Sequence, residues 1–258
     1  MASEVDRTSD PAHTAPGRTG VVLAAGFGSR LAAAGASSSI KPLIEVGGEP
    51  LLNRTLRSLA RAGCDRVVIV LGHEAALLQQ EIQGFHGGAP ELVFAHNPDY
   101  RLANGLSVLC ARPHVGAEFV LTMADHVLGD ELMELVRTHR PPSDGATLCV
   151  DYKLDSIFDM DDATKVLEQD GRIRAIGKEL PTFNCIDTGV FICTQALMDE
   201  LQAVYERRGD ASLSDGVGAL AARGRMHVLD VGDGFWQDVD TPQMLAHAEA
   251  VLARRRAE

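Results

Sequence analysis

From residue 20 onward the chain alternates short apolar runs with amphipathic stretches of helical period, and this rhythm restricts the available folds more than any other feature. "GVVLAAG" (20–26) reads as a buried strand. "PLLNRTLRSLARAG" (50–63) puts Leu51, Leu52, Leu56 and Leu59 on one helical face and stops at Gly63, and "DRVVIVLG" (65–72) is strand again. The scheme continues through "EAALLQQEIQGF" (helix), "ELVFA" (strand), "GLSVLCAR" (helix), "EFVLTMAD" (strand), "DELMELVRTH" (helix) and the strand "ATLCVD". Strands "DTGVFICT" and "MHVLDV" follow, with helical "QALMDELQAVYERR" and "LSDGVGALAARG" between them and "TPQMLAHAEAVLARRR" closing the chain. Alternation of this length predicts an α/β, Rossmann-like, mostly parallel sheet with helices on both faces. One segment departs from it. "DATKVLEQDGRIRAIGKEL" (162–180) alternates polar and apolar residues around Asp170-Gly171, which predicts a hairpin, a small antiparallel β appendage laid over the mouth of the sheet.

A chain of 258 residues with 45% apolar content buries a substantial core, and residues 19–258 read as a single domain. The leader "MASEVDRTSDPAHTAPGR" (1–18) lacks an apolar stretch and reads as disordered rather than as a signal peptide. A net charge of -12 excludes a nonspecific nucleic-acid or anionic-membrane surface, so an anionic ligand must be held locally. No run is long enough for a membrane helix, and five scattered cysteines, without a paired or zinc-type spacing, suit a reduced cytoplasmic protein without structural metal.

In an open parallel sheet, ligands bind beyond the carboxyl ends of the strands. Those positions carry Gly26 to Arg30, Gly72-His73, Asn97 to Gly105, Asp125-His126, and Asp238 with Asp240. Gly26 and Gly28 allow positive φ and close backbone approach to an anion, and a helix starting near Ser29 would point its positive end there. A dinucleotide turn wants a third glycine where Leu31 stands, and a P-loop wants a spacing that Lys41-Pro42 does not supply. A tight turn with a solvated Arg30 is the plain alternative.

Asp125 ends an apolar strand, the placement that Mg²⁺ uses when it takes one or two carboxylates and completes its shell with phosphate oxygens and water. A turn or N-cap aspartate is the competing reading. In "GFWQDVDTPQML" (234–245), Asp238 and Asp240 fall on one side of an extended segment, and Asp240 could equally cap the last helix before Pro242. Lys165 and Lys178, on a polar hairpin, are by themselves solvated. His126 is a turn histidine or a substrate contact, and Trp236 reads as core.

"LAAGFGSRL" followed by "KPLIEVGGEPLL" resembles the sugar-phosphate nucleotidyltransferase family. Adding "NPDYRLANGLSVL", "MADHVL", "DATKV", "GRIRAIGKEL", "DTGVFICT" and "WQDVDTP", residues 20–250 look like its CTP:inositol-1-phosphate cytidylyltransferase branch. The resemblance implies the nucleotide-diphospho-sugar transferase fold and a nucleotide loop over Leu23, Ala24, Ala25, Gly26, Gly28 and Ser29. It puts Arg30 and Lys41 on the leaving pyrophosphate, and Mg²⁺ on Asp125, Asp238 and Asp240. Asn104, Gly105 and Ser107 are expected to read the base. Lys165, Lys178, Asp187 and His126 are expected to meet the acceptor, with Lys178 on its phosphate.

The implied partners are CTP or another nucleoside triphosphate and a small phosphorylated polyol, sugar or alcohol, best inositol 1-phosphate, with no nucleic acid and no membrane insertion. Relatives are often fused to a membrane phosphotransferase, so the CDP-linked product is expected to pass to a separate transferase. A homo-oligomer is compatible with the sequence. Branches that activate phosphocholine, an aminoalkylphosphonate or a sugar 1-phosphate share the loop and aspartates, and a nucleotide-sugar-sensing regulatory protein could keep the fold without turnover. A glycosyltransferase would want an acidic-x-acidic motif, which Asp125-His126-Val127 lacks.

Overall fold

A computed structural model describes residues 17–27, 38, 40–82 and 90–255. Strands β1 (Arg18–Ala24), β2 (Cys64–Leu71), β3 (Glu91–His96) and β4 (Glu118–Met123) form a parallel half-sheet in the order β3-β2-β1-β4. β5 (His126–Leu128) lies apart from it. The remaining strands β6 (Ala146–Asp151), β7 (Lys165–Gln169), β8 (Arg172–Gly177), β9 (Cys185–Thr194) and β10 (Met226–Asp230) extend the sheet as β4-β9-β6-β10-β8-β7.

β9 runs antiparallel to both β4 and β6, while β6 and β10 are parallel. The "mostly parallel" expectation therefore holds for the first half and fails in the second. The departure lies in β9, which is inserted antiparallel between β4 and β6, and in the β7–β8 hairpin, whose strands run against each other and against their neighbours β9 and β10. The β7–β8 hairpin forms as expected around Asp170 (φ 56°) and Gly171 (φ 75°), both left-handed as a type I′ turn requires. It is not an appendage lying over the sheet's mouth. β8 bonds to β10 and β7 bonds back to β9, so the hairpin is annealed into the sheet and curls its far end closed.

Helices cover both faces. α1 (Leu51–Arg61), α2 (Ala75–Ile82) and α4 (Asp130–Thr138) pack Leu52, Leu56, Leu59, Leu78, Leu132 and Met133 on Val22, Val120 and Ile192. α3 (Gly105–Cys110), α5 (Gln195–Arg208) and α6 (Leu213–Ala222) pack Leu106, Leu197, Leu201 and Val217 on Val21, Phe119 and Phe191. Alternate residues of one strand thus feed opposite cores, as period-two geometry demands.

A third, smaller apolar cluster joins Ile44, Val46, Leu51, Val127, Val239 and Ala248. It ties the 3₁₀ turn Lys41–Leu43 and the chain after it to β5, to β11 (Trp236–Asp238) and to the last helix, α7 (Pro242–Arg255). β5 and β11 form a separate antiparallel pair with Trp236 opposite Leu128, Gln237 opposite Val127 and Asp238 opposite His126. Among the described residues no helix is long and apolar enough to cross a membrane, and all five cysteines are free.

α6 begins with a capping box in which Ser212 accepts from the Asp215 N–H and Asp215 accepts from the Ser212 N–H (2.9 Å) and hydroxyl (2.6 Å). These hydrogen bonds, side chain first, hold the Asp215 carboxyl below its usual range against a burial penalty, with Arg208 assisting. A carboxyl depressed in the folded state contributes stability above its unfolded pKa, about 3.9, and loses it as pH falls through the lower folded value. Asp215→Asn should therefore cost about 1 kcal/mol near neutral pH, with the gap from wild type shrinking below about pH 4. Urea midpoints at pH 7 and pH 3 check this; a gap unchanged by pH would assign the cost to packing.

Candidate functional site

The carboxyl ends of the strands open onto a cavity of ≈ 540 Å³ whose wall includes Asp125, His126, Lys178, Asp187, Asp238 and Asp240. Six of the residues expected to bind metal or acceptor are thus brought together from β4, β8, β9 and β11 and the turns after them. The convergence depends on β5. After Asp125 the chain reverses at once into β5, and pairing with β11 sets His126 against Asp238, while the Val239 N–H donates to the Asp125 carbonyl (2.9 Å). Gln237 and Val239 are buried, so Asp238 and Asp240 face the cavity. The period-two reading of that segment holds.

Lys41 is the centre of the charge arrangement. It begins the 3₁₀ turn, is only 8% exposed, and its Nζ donates to Asp125 Oδ2 (2.5 Å) and to Asp240 Oδ1. Burial alone would favour its neutral form, but the two carboxylates outweigh it and raise its pKa. The reciprocal effect holds Asp125 well below the ordinary carboxylate range: burial opposes its charge, and Lys41 and the His126 hydrogen bond prevail. His126 Nδ1 lies 2.6 Å from Asp125 Oδ1. Burial disfavours the imidazolium, yet the bond to Asp125 and the charges of Asp125 and Asp238 raise the pKa, so Nδ1 is the donor. The ring is seated against Gly189, whose φ of 73° and missing Cβ leave room for Nε2.

Asp238 is shifted the other way. Burial, and then the like charges of Asp240 and Asp125, push its carboxyl up against the pull of His126 and Lys41. A carboxylate in that condition is stabilised by any cation brought to it. Among the described residues no group of three His, Cys, Asp or Glu is arranged to hold a metal. Mg²⁺ needs fewer protein ligands than that, and Asp125 with Asp238 meets its requirement of one or two carboxylates. Asp240 is engaged by Lys41. Nor is it the helix cap: Thr241 Oγ1 accepts the Met244 N–H (3.2 Å).

Leu23, Ala24 and Ala25 are buried at the end of β1, and Gly26 is exposed. Gly26 does not adopt positive φ, and a Cβ there would meet nothing within 4 Å, so its backbone presents an open face. Gly28, Ser29 and Arg30 lie outside the described residues. Beside Gly26, Phe27, His73 and Tyr100 cluster with centroids 4.9–6.0 Å apart, and the Arg101 guanidinium sits over Phe27 and Tyr100.

Of the expected base readers, Asn104 lines the cavity and its Oδ1 accepts the Leu213 N–H (2.9 Å). Gly105 and Ser107 do not line it. A Cβ on Gly105 would strike the Ala211 carbonyl, and buried Ser107 accepts from Asn97 Nδ2 (2.9 Å), so both serve the packing of α3.

Lys178 also lines the cavity and pairs there with Asp162 (2.5 Å). Lys165 does not reach the cavity: paired across the hairpin from Gly177, it donates to the Lys178 carbonyl (2.9 Å) and braces its neighbour. Asp187 accepts the Gly189 N–H (2.7 Å), and burial, opposed by that bond and by His126, pushes it up to about 6.

The sequence reading missed Asp151, although it ends β6 and the strand-end rule flags such a position. It is 3% exposed, accepts from Trp236 Nε1 (2.8 Å) and pairs with Lys153 (2.8 Å). Trp236 packs on the core yet also lines the cavity, so "core" describes half of it. Phe158 is stacked on His247 at 4.4 Å on the cavity wall, whereas Tyr152 bonds Glu168 and Phe183 lies under Lys165.

A family model described as the MobA-like NTP transferase domain matches residues 20–222. Curated relatives include proteins named "Bifunctional IPC transferase and DIPP synthase". The one from Rubrobacter xylanophilus is 36% identical over 251 residues (94% of this chain, 54% of the relative), and the one from Thermococcus kodakarensis 33% identical over 235 residues (91% and 50%). The chain spans about half the length of these relatives. Among solved structures, the inositol-1-phosphate CTP transferase from T. maritima superposes with a TM-score of 0.76 at 25% identity, covering 90% of this chain and 96% of that one. With fold and site in agreement, the chain belongs to the MobA-like NTP transferase domain family and is a nucleotidyltransferase.

Proposed function

We propose that the protein transfers a cytidylyl group from CTP to inositol 1-phosphate, giving CDP-inositol and pyrophosphate. The observation that carries this reading is the cavity that gathers Asp125, Asp187, Asp238 and Lys178, with buried Lys41 bonded to Asp125 behind it, a set of charges suited to two phosphorylated substrates. Similarity to the inositol-1-phosphate CTP transferase and to the IPC transferases supports the choice of substrates.

An acceptor phosphate oxygen attacks the α-phosphorus in line with the departing pyrophosphate, and two anionic substrates repel unless cations hold them. Lys178 takes the acceptor phosphate in exchange for Asp162. Arg30 and Lys41 neutralise the pyrophosphate. Asp125 and Asp238 would hold Mg²⁺, which would supply charge neutralisation for the reacting phosphates. His126 orients Asp125 through its 2.6 Å bond. The phosphate nucleophile is already ionised, so no general base is required. Asp187, with one oxygen engaged by Gly189, offers the other to a polyol hydroxyl, and a site built to bond hydroxyls rejects acceptors without them.

The deciding experiment mixes CTP with inositol 1-phosphate, glucose 1-phosphate, phosphocholine and 2-aminoethylphosphonate and resolves the CDP-linked products by mass. CDP-inositol should dominate; another product in the majority would displace the acceptor assignment, and preference for UTP or GTP in a parallel mixture would displace the base. Asp125→Asn and Asp238→Asn should each slow turnover by about a hundredfold or more while melting stays cooperative. Near-normal rates in either variant would remove that residue from the site. Lys178→Met should raise the acceptor KM by about tenfold and leave the nucleotide KM unchanged, and the reverse pattern would move Lys178 to the nucleotide side.

A further inference from the structure

Lys41 and a divalent cation held by Asp125 and Asp238 are rivals for Asp125. Both oxygens of Asp125 are engaged, Oδ1 by His126 and Oδ2 by the Lys41 ammonium, and that ammonium also holds Asp240 Oδ1. Lys41 is nearly inaccessible, and the turn bearing it is fixed by backbone bonds, Leu43 N–H to the Ile40 carbonyl (2.9 Å) and Ile44 N–H to the Lys41 carbonyl (3.1 Å). Its flexible four-carbon stem lets the ammonium swing while the backbone stays in place. A second cation on Asp125 would sit within a few ångströms of the first in a poorly screened setting.

We propose that Lys41 is a built-in counter-cation: it occupies Asp125, which it bridges to Asp240, in place of a divalent ion, and yields when the phosphates of a nucleotide draw its ammonium away. Metal and nucleotide then bind as a coupled pair, and the protein by itself takes up divalent cations weakly. The inference rests on the reading of Asp125 and Asp238 as the cation's ligands. It adds that one lysine changes partner between carboxylates and phosphates, which makes it a gate on metal entry as well as a contact for the leaving group. Such a gate holds the mutually repelling carboxylates together without committing the site to a metal that lacks its substrate.

The test is Mn²⁺ binding to the full chain without nucleotide, read from the loss of the free-ion paramagnetic resonance signal. Lys41→Met should bind Mn²⁺ at least about tenfold more tightly than wild type, because a competing positive charge has been removed. Lys41→Arg, which keeps the charge, should stay close to wild type. Asp238→Asn introduced into Lys41→Met should abolish the gain. If the methionine variant fails to fold, Lys41→Gln, whose amide still donates to the carboxylates, carries the same measurement, and its melting temperature should rise with Mn²⁺ more than that of wild type. Equal Mn²⁺ affinity, within about twofold, in wild type and in Lys41→Met or Lys41→Gln would overturn the inference. Should that occur while CDP-inositol is still formed, the gate alone falls; loss of the reaction with every acceptor would instead remove the reading beneath it.

Discussion

One buried ammonium group joins three distant parts of this chain. Lys41 follows the glycine segment, Asp125 follows the fourth strand and Asp240 precedes the last helix, and the ion bridge among them makes a single site of three loops. Removing one partner from a buried ion pair costs about 3–5 kcal/mol, since the other charge is left uncompensated. The bridge therefore constrains strongly even though its net contribution to folding is small. Its directional effects agree: Lys41 is held charged and Asp125 is held ionised, while Asp238, which Lys41 does not touch, is pushed toward protonation.

Charge alone does not assemble this arrangement. Two carboxylates about 5 Å apart repel by about 3 kcal/mol at an effective dielectric of 20. The small apolar cluster beneath supplies the opposing force, because Val127 stands two residues after Asp125, Val239 lies between Asp238 and Asp240, and Ile44 sits three residues after Lys41. Each of these fully buried side chains contributes about 1.5–3 kcal/mol relative to exposure. Apolar burial positions the backbone, and Lys41 and His126 then make the concentration of negative charge tolerable.

The cavity's lysines follow the same economy. Lys178 and Lys153 each carry an aspartate partner, Asp162 and Asp151, so neither charge stands bare. Asp151 does more than neutralise Lys153. Its second oxygen holds the Trp236 indole, which fixes the strand bearing Asp238 against the end of β6.

By itself the sequence determined the alternating elements, the two helical layers, the hairpin at Asp170-Gly171 and the strand-end positions of Asp125 and Asp238, because periodicity and strand-end position are local properties, whereas Lys41 and Lys178 were singled out by the family resemblance alone. Local signals could not report strand partners. Three residues, His126 to Leu128, are too short to register as a strand, yet their pairing with β11 is what brings Asp125 to Asp238. The antiparallel insertion of β9 between β4 and β6 and the annealing of the hairpin to β9 and β10 are long-range ladders between segments far apart in the chain. The burial of Gly105 and Ser107, the bracing role of Lys165 and the Asp151–Trp236 bond were likewise decided in three dimensions, where a side chain's neighbours are set by packing between elements rather than by its place in the chain.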